Sequence, residues 1–338
     1  MSGVGGAPYA GPVSTTSSAA ARSTGPTPPA GPTGAPGPAA PAAWLPVAAV
    51  GVTLLLWASA FVAIRYLGDD FSPGALSLGR LLVGSIALGV AALVSKGLPR
   101  PSRGDLLRIV VIGVLWFGVY NVALNDGERR VDAGTAAMLI QVSPVLIALL
   151  AALFLSERFT VFLGLGLALA FGGVALIGLS TSPGGNSDLV GVALCIVSAV
   201  VYSVSVILQK PLLARNAAVH VTWLACTVGA IVCLPFAGDL VRQTAAAPAG
   251  SILWVVYLGV FPTAIAFTTY AFALTHMSAS SLGVTTYLVP PLTIVMGLLF
   301  LDEAPPAMAY VGGALALVGV AVARRKPRSV AEEVSPPA

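Results

Sequence analysis

The chain has 338 residues, of which 57% are hydrophobic and 9% are charged, with a net charge of +4. Soluble globular proteins carry about a quarter charged residues, so this composition excludes a protein that folds in water. Long apolar runs predict membrane-spanning helices, because a backbone surrounded by lipid must satisfy its amides within its own helix or a closed barrel. The basic residues are spread over loop ends and a tail, which excludes nucleic acid as a partner.

The first 43 residues are mainly Pro, Gly, Ala, Ser and Thr, with one charge at Arg22. Such a segment cannot bury enough apolar area to fold, so residues 1–43 are predicted to form a disordered cytoplasmic tail. Residues 326–338 are predicted as a cytoplasmic C-terminal tail. Between the tails, ten apolar runs have spanning or near-spanning length, at roughly 44–67, 73–94, 107–125, 133–155, 160–180, 189–208, 219–240, 252–274, 281–301 and 306–323.

Cysteine and histidine usage gives no sign of a metal or redox site. Cys195, Cys226 and Cys233 lie within apolar runs without metal-ligand spacing. The two histidines, His220 and His276, lie far apart at helix ends, and no Walker A pattern is present. We therefore expect neither a metal nor a cofactor, and no direct use of ATP.

An internal repeat divides the apolar part of the chain into two five-helix units, 44–182 and 188–325. At an offset of 145 residues, Trp57 aligns with Tyr202 and Arg65 with Lys210. At an offset of 146, six residues of the fourth run recur in the ninth, including a Pro and a Glu. The six are Pro144, Leu146, Leu153, Phe154, Leu155 and Glu157, which recur as Pro290, Leu292, Leu299, Phe300, Leu301 and Glu303.

Five helices per unit is an odd number, so the second unit is predicted to cross the membrane upside down relative to the first. With the N-terminus inside, twelve of the 17 Lys and Arg residues fall on the cytoplasmic side and four on the other, as the positive-inside rule requires. The predicted fold class is an all-α membrane protein of ten transmembrane helices in two inverted five-helix repeats. We expect it in the plasma membrane, with both termini cytoplasmic. Inverted repeats are typical of secondary transporters.

Several short motifs resemble the signature of a known transporter family. The stretch Leu56–Arg65 is similar to that family's W-G-S-x-F-x-x-x-K pattern. Motifs similar to A-G-x-A-A, S-P and E-R-x-T follow in order at Ala133–Ala137, Ser143-Pro144 and Glu157–Thr160, with a degenerate second copy at Ala279–Ser281, Pro290 and Asp302-Glu303. On these residues the chain resembles the EamA-type permeases of the drug/metabolite transporter superfamily, over about residues 44–325.

The resemblance implies a ten-helix permease that moves small metabolites, amino acids or drugs, often outward and often in exchange for protons. The expected function is therefore secondary active export by alternating access. The expected partners are a small-molecule substrate and the lipid bilayer, and a homodimer is left open. Two alternatives are a membrane-embedded enzyme, which would need a cluster of catalytic groups that the sequence does not contain, and a passive channel or non-transporting scaffold.

Polar residues inside the apolar runs are candidate site residues, because they are unfavourable in lipid unless they face the bundle interior. Asn121, Asn125 and Glu128 share one stripe of the third run, beside Asp126. We expect Asn121 and Asn125 to line a central cavity. Glu128 has two interpretations, a carboxylate that couples transport to protons and a solvated helix end, and its position at the end of the run favours the second.

Arg80 lies about seven residues into the second run. It is expected to bind a carboxylate or phosphate of the substrate, or to pair with Asp126. The alternative is an arginine that extends to the membrane surface near Asp69 and Asp70. A charge at this depth costs about 2.5 to 3.5 kcal/mol on the helix-centre scale, which favours a functional role.

Gln141 and Tyr287 occupy equivalent positions, three residues before Pro144 and Pro290, where a missing backbone hydrogen bond loosens the helix. They are candidates for a substrate site, with helix packing as the alternative. Trp57 and Tyr202 are expected to stack on a ligand or to pack.

The candidate residues fall into three groups. The substrate-binding candidates are Trp57, Arg80, Asn121, Asn125, Gln141, Tyr202 and Tyr287, and the coupling candidates are Asp126 and Glu128. The structural candidates are Pro144, Glu157, Pro290 and Glu303, with the two glutamates as caps or partners of loop amides.

Overall fold

A computed structural model describes residues 44–94, 100–156, 160–180, 189–304 and 307–323. The predicted tails 1–43 and 326–338 lie outside these ranges, and so does Glu157. Within them the chain is helical and has no strand. The helices are α1 Trp44–Leu67, α2 Pro73–Val94, α3 Arg103–Ile112, α4 Tyr120–Glu128, α5 Ala133–Ile140, α6 Ser143–Phe154, α7 Val161–Ser180, α8 Leu189–Leu212, α9 Ala218–Val232, α10 Ala237–Ala246, α11 Ala249–Leu258, α12 Ala266–His276, α13 Ala279–Thr285, α14 Val289–Phe300 and α15 Ala307–Ala323.

Seven helical segments of the described ranges are long and apolar enough to cross a membrane, so the chain is a multi-pass membrane protein. An eighth results if α9 and the following segment, Leu234–Ala246, form one span. Two more apolar helices, α7 and α15, pack along each other. The seven segments are α1, α2, α3 with α4, α5 with α6, α8, α11 with α12, and α13 with α14.

The seventh predicted run is not one straight helix. It bends by 52° between α9 and the segment that starts at Leu234. Pro235 lies in the short 3-10 turn Leu234–Phe236 at this bend, and proline both lacks an amide hydrogen and clashes with the preceding helical turn. The expectation of a single run over 219–240 is therefore wrong at its end.

The repeat is visible in the backbone as well as in the sequence. A π-helical segment joins α3 to α4 at Gly113–Val119, and another joins α11 to α12 at Gly259–Ile265. The two segments start 146 residues apart. Ser156 and Asp302, again 146 residues apart, are the non-glycine residues with positive φ in the described ranges, at 55° and 51°. The two halves thus share unusual local conformations that composition alone does not require.

The π-helical segments pack tightly on the opposite half of the chain. A Cβ added to Gly113 would lie 2.5 Å from the Cβ of Val228 in α9, and one added to Gly259 would lie 2.5 Å from the Cβ of Val83 in α2. Val83 and Val228 are themselves 145 residues apart. The two contacts are therefore equivalent under the repeat, and they bring the halves together around a shared centre.

Candidate functional site

A small cavity lies between the two halves, and we call it the central pocket. Its volume is about 40 Å³, far below the roughly 300 Å³ of the smaller ligand pockets. The pocket is therefore closed to any organic solute in this conformation. It is lined by Trp57, Ala60, Phe61, Ile64, Arg80, Tyr120, Leu124, Ile140, Gln141, Tyr202, Phe267, Thr286 and Val289.

Aromatic rings surround Trp57 in this pocket. Its ring lies 6.0 Å from Tyr202, 5.6 Å from Phe267 and 5.0 Å from Tyr270, measured between centroids. The hydroxyl of Tyr202 donates to that of Tyr270 at 2.9 Å. The buried Nε1 of Trp57 has no hydrogen-bond partner among the described residues. Trp57 and Tyr202 thus both pack and line the pocket, and the indole leaves one donor free for a ligand.

Arg80 is the cation in the lining of this pocket. Its side chain is 3% exposed, and its Nε and Nη2 both donate to Oγ1 of Thr263, at 3.1 Å. The alternative of an arginine that extends to the membrane surface is therefore wrong. The expected pair with Asp126 is wrong too, because Asp126 accepts from Arg130 at 3.4 Å, four residues further along the chain. A guanidinium held by a single hydroxyl retains donors for an anion.

Glu128 lies on the same face of α4 as the pocket residues Tyr120 and Leu124, at successive spacings of four. Its side chain is fully buried, so the expectation of a solvated helix end is wrong for this residue. Neither carboxylate oxygen has a hydrogen-bond partner in the described part of the chain. The charged groups within electrostatic range from neighbouring helices are Arg80, Arg65 and Glu303.

Asn121 and Asn125 do not line the central pocket. The amide of Asn121 donates to the carbonyls of Trp116 and Phe117, at 3.2 and 2.8 Å, inside the adjacent π-helical segment. The amide of Asn125 donates to Oγ of Ser77 at 2.9 Å. Both side chains are buried, but their amide groups hold backbone and neighbouring helix rather than facing a cavity.

Gln141 and Tyr287 come together beside a second cavity, which we call the lateral cavity. Its volume is about 320 Å³. Gln141 also lines the central pocket, and its Oε1 accepts from Oγ1 of Thr286 at 3.3 Å. The residues of the lining are Met138, Gln141, Tyr287, Pro290, Pro291, Ile294, Val295, Tyr310, Gly313, Ala314 and Leu317.

Pro144 and Pro290 follow equivalent interruptions of the helical ladder. Helix α5 ends at Ile140 and α6 begins at Ser143, while a 3-10 turn over Thr286–Leu288 separates α13 from α14. Each proline lies in the first turn of the following helix, where its missing amide hydrogen costs nothing. Gln141 and Tyr287 lie at the two interruptions.

Polar contacts close the bundle at one end, which we call the Arg65 end. Arg65 donates through Nε to Oε1 of Glu303 at 2.7 Å and through Nη1 to the carbonyl of Glu128 at 3.2 Å. Oγ of Ser251 donates to Oδ2 of Asp70 at 2.5 Å. Glu303 therefore binds a cation of the other half instead of the loop amides that the sequence favours.

Equivalent contacts close the other end, which we call the Asp105 end. Nη2 of Arg215 donates to Oδ1 of Asp105 at 2.5 Å. Nζ of Lys210 donates to the carbonyls of Leu274 and Met277, at 2.5 and 2.6 Å. At offsets of 145 or 146 residues, four pairs of these contact residues correspond: Arg65 with Lys210, Glu128 with Leu274, Asp70 with Arg215, and Ser251 with Asp105.

The model of the EamA-like transporter family matches the chain twice, over residues 44–179 and 189–325. The chain belongs to the EamA-like transporter family. The two matched segments coincide closely with the two units of the repeat, and they confirm the resemblance described above. The protein is accordingly a membrane transporter and not an enzyme.

Curated relatives agree with this assignment. A protein of Streptantibioticus cattleyicolor named "Probable terminal-alkyne amino-acid exporter" is 39% identical over 292 residues, covering 86% of this chain and 97% of the relative. The "Uncharacterized transporter YdfC" of Bacillus subtilis is 30% identical over 265 residues, covering 78% and 86%. A solved crystal structure shares the fold, with a TM-score of 0.61 at 22% identity over 82% of this chain and 96% of that one.

Several residues that shape the site were missed by the sequence analysis. Thr263 holds Arg80, and Trp116 and Tyr270 complete the aromatic cluster around Trp57. Asp105 and Arg215 form the ion pair at the Asp105 end. A signal was available for the last pair, because Asp105 and Arg215 align under the repeat with Ser251 and Asp70.

Proposed function

We propose that this protein is a secondary transporter that exports a small organic solute by alternating access, with the solute bound in the central pocket. The observation that carries the proposal is the buried guanidinium of Arg80 in a pocket that both halves of the chain line. Secondary transporters built from repeats hold their substrate between the repeats. The same proposal includes the ten-helix inverted architecture. Eight of its spans are those described above, with the bent pair counted as one, and α7 and α15 are the other two.

The solute we propose is an α-amino acid. Arg80 binds its carboxylate, since a guanidinium matches the two oxygens with a fork of donors. The ammonium group lies against the aromatic faces of Trp57 and Tyr202, where ring quadrupoles attract a cation. The relative from Streptantibioticus cattleyicolor, which is named a probable amino-acid exporter, supports this class of substrate.

The contacts at the two ends of the bundle are the gates of this cycle. A central pocket of about 40 Å³ admits a solute only when one end opens. The equivalence of the Arg65 end and the Asp105 end supports two alternative openings with similar geometry. The distribution of basic residues supports an orientation with the Arg65 end outside and the Asp105 end in the cytoplasm.

Glu128 is the proposed coupling group. An isolated buried carboxylate is unfavourable unless it is paired or takes up a proton, and both oxygens of Glu128 lack a hydrogen-bond partner among the described residues. We propose that Glu128 carries a proton inward when the pocket is empty and releases it when the solute binds. Asp126 has no such role, because it is half-buried and pairs with Arg130.

The test is transport by the purified full chain in proteoliposomes. L-Propargylglycine, an amino acid with a terminal alkyne, should move with saturation, and an imposed pH gradient should drive its accumulation. Arg80→Gln should impair both by weakening solute binding, whereas Glu128→Gln should abolish only the response to the pH gradient and retain exchange of labelled for unlabelled solute. Non-saturable flux, or flux equal to that of empty liposomes, would exclude the transporter proposal for this substrate.

A further inference from the structure

The lateral cavity lies directly behind the central pocket, and the two interrupted helices separate them. Gln141 lines both cavities, while Thr286 faces the central pocket and its neighbour Tyr287 faces the lateral cavity. The partition is thus one side-chain contact thick at this point. It is the contact of 3.3 Å between Oγ1 of Thr286 and Oε1 of Gln141, and the same hydroxyl has a nearer acceptor, the carbonyl of Gly283, at 2.7 Å.

The two cavities differ in size and chemistry. The central pocket has a volume of about 40 Å³ and contains a guanidinium, whereas the lateral cavity has about 320 Å³. Ligand pockets usually measure about 300 to 1,000 Å³, a range that includes the lateral cavity and not the central pocket. Apart from Gln141 and the two tyrosines, its lining is apolar.

From this juxtaposition we infer that the central pocket and the lateral cavity are one binding site divided by the Gln141–Thr286 contact. The inference rests on the proposed function. Arg80 holds the polar head of the solute in the central pocket, and an unbranched hydrocarbon arm extends past Gln141 into the lateral cavity. The solutes are therefore amino acids with an extended apolar side chain, not small polar ones.

The local structure allows the contact between Gln141 and Thr286 to break. Neither Gln141 nor Thr286 lies within a regular α-helix, so the backbone on both sides of the contact lacks part of the helical ladder. A glutamine has three rotatable side-chain bonds, and rotation of Gln141 away from Thr286 joins the two volumes. This rotation breaks two long contacts of Gln141, with Thr286 and with the carbonyl of Ala137, both at 3.3 Å. The cost is small, because neutral side-chain hydrogen bonds contribute little in membrane proteins.

The chain length of the solute provides the test. The full-length protein in proteoliposomes is assayed with L-alanine, L-norvaline, L-norleucine and L-2-aminooctanoate, and the apparent KM of each is measured. Each added CH₂ that enters the lateral cavity should lower KM about fourfold, the factor that corresponds to about 0.8 kcal/mol. The gain should end when the arm fills the cavity.

A bulky residue in the cavity should remove this dependence. Ala314→Trp should raise the KM of L-norleucine to that of L-alanine in the same variant, so that the two values no longer differ. Ala314→Leu is the milder variant and should shorten the longest favourable arm. Val318→Trp is the matched control, because Val318 is an exposed residue of the same helix that does not line the cavity.

The outcomes separate the inference from the proposed function. If the parent protein transports L-alanine with saturation but shows no dependence on chain length, the inference is wrong and the transporter proposal stands. The same holds if Ala314→Trp and Ala314→Leu keep the parental dependence, as they would if a lipid acyl chain occupied the cavity. Absence of saturable flux for all four amino acids contradicts the proposed function itself.

Discussion

The ion pair between Arg65 and Glu303 should control how often the Arg65 end opens, and Glu303→Gln tests this directly. The two side chains are 33% and 28% exposed, so solvent and salt screen the pair, and pairs of this kind contribute up to about 1 kcal/mol. Loss of about 1 kcal/mol from the closed conformation raises the fraction that is open about fivefold, since 1.4 kcal/mol is tenfold. Arg65 keeps its bond to the carbonyl of Glu128, so the Arg65 end should open more often while its closed conformation still forms.

The assay is the rate at which a charged maleimide reacts with Ile64→Cys. Ile64 lines the central pocket and is 2% exposed, so the thiol reacts only in open conformations. The native cysteines at 195, 226 and 233 are buried and contribute little background. The variant with both Ile64→Cys and Glu303→Gln should react about fivefold faster than Ile64→Cys alone, in proportion to the open fraction.

Asp126→Asn provides the matched control. It removes a carboxylate from a second ion pair near the same end of the bundle, but that pair joins Asp126 to Arg130, four residues further along the chain, and does not connect the halves. The variant with both Ile64→Cys and Asp126→Asn should react with the maleimide at the same rate as Ile64→Cys alone. An equal acceleration by Asp126→Asn, or no acceleration by Glu303→Gln, would refute the assignment of Arg65 and Glu303 as a gate.

Three further predictions concern binding and folding. Arg80→Gln should raise the KM for an amino-acid substrate about 10- to 100-fold in liposome transport, because hydrogen bonds to a charged group contribute about 1.5 to 3 kcal/mol. Gly229→Ala should lower the unfolding temperature of the purified protein, because the added Cβ would lie 2.3 Å from that of Phe117 and overpacking costs about 1 to 3 kcal/mol. Gly238→Ala is the control and should leave the unfolding temperature unchanged, because the space around Gly238 is open. Asn121→Ala should also lower that temperature, by the loss of two bonds to backbone carbonyls, while the KM of the folded protein stays at the parental level.

The repeat and the apolar helices could be predicted because they depend on local features of the sequence. Composition, run length and turn residues identify a helix in lipid, and paired residues such as Pro144 and Pro290 identify the duplication. The bend at Pro235 was missed because the residues on both sides of it are apolar and continue the run. The π-helical segments were also missed, since a single extra residue in a helical turn leaves no periodic signal.

The contacts of individual polar residues could not be read from the sequence. Asn121 shares a helical stripe with Glu128, but the π-helical segment below it offers carbonyls that satisfy its amide locally. Arg80 has its partner 183 residues away at Thr263, and the nearer acid Asp126 is taken by Arg130. Periodicity assigns a residue to a face of a helix, whereas its partner depends on how distant helices pack.

The pairing of α7 with α15 has a consequence for the origin of the chain. These helices occupy equivalent positions in the two units, starting at Val161 and Ala307, and they pack along each other more extensively than any other two helices in the described ranges. An interface between equivalent helices is the kind that joins identical subunits about a two-fold axis. A single repeat unit would therefore already have carried a surface for self-association, and duplication of that unit would have made such a dimer covalent, after which each half was free to diverge.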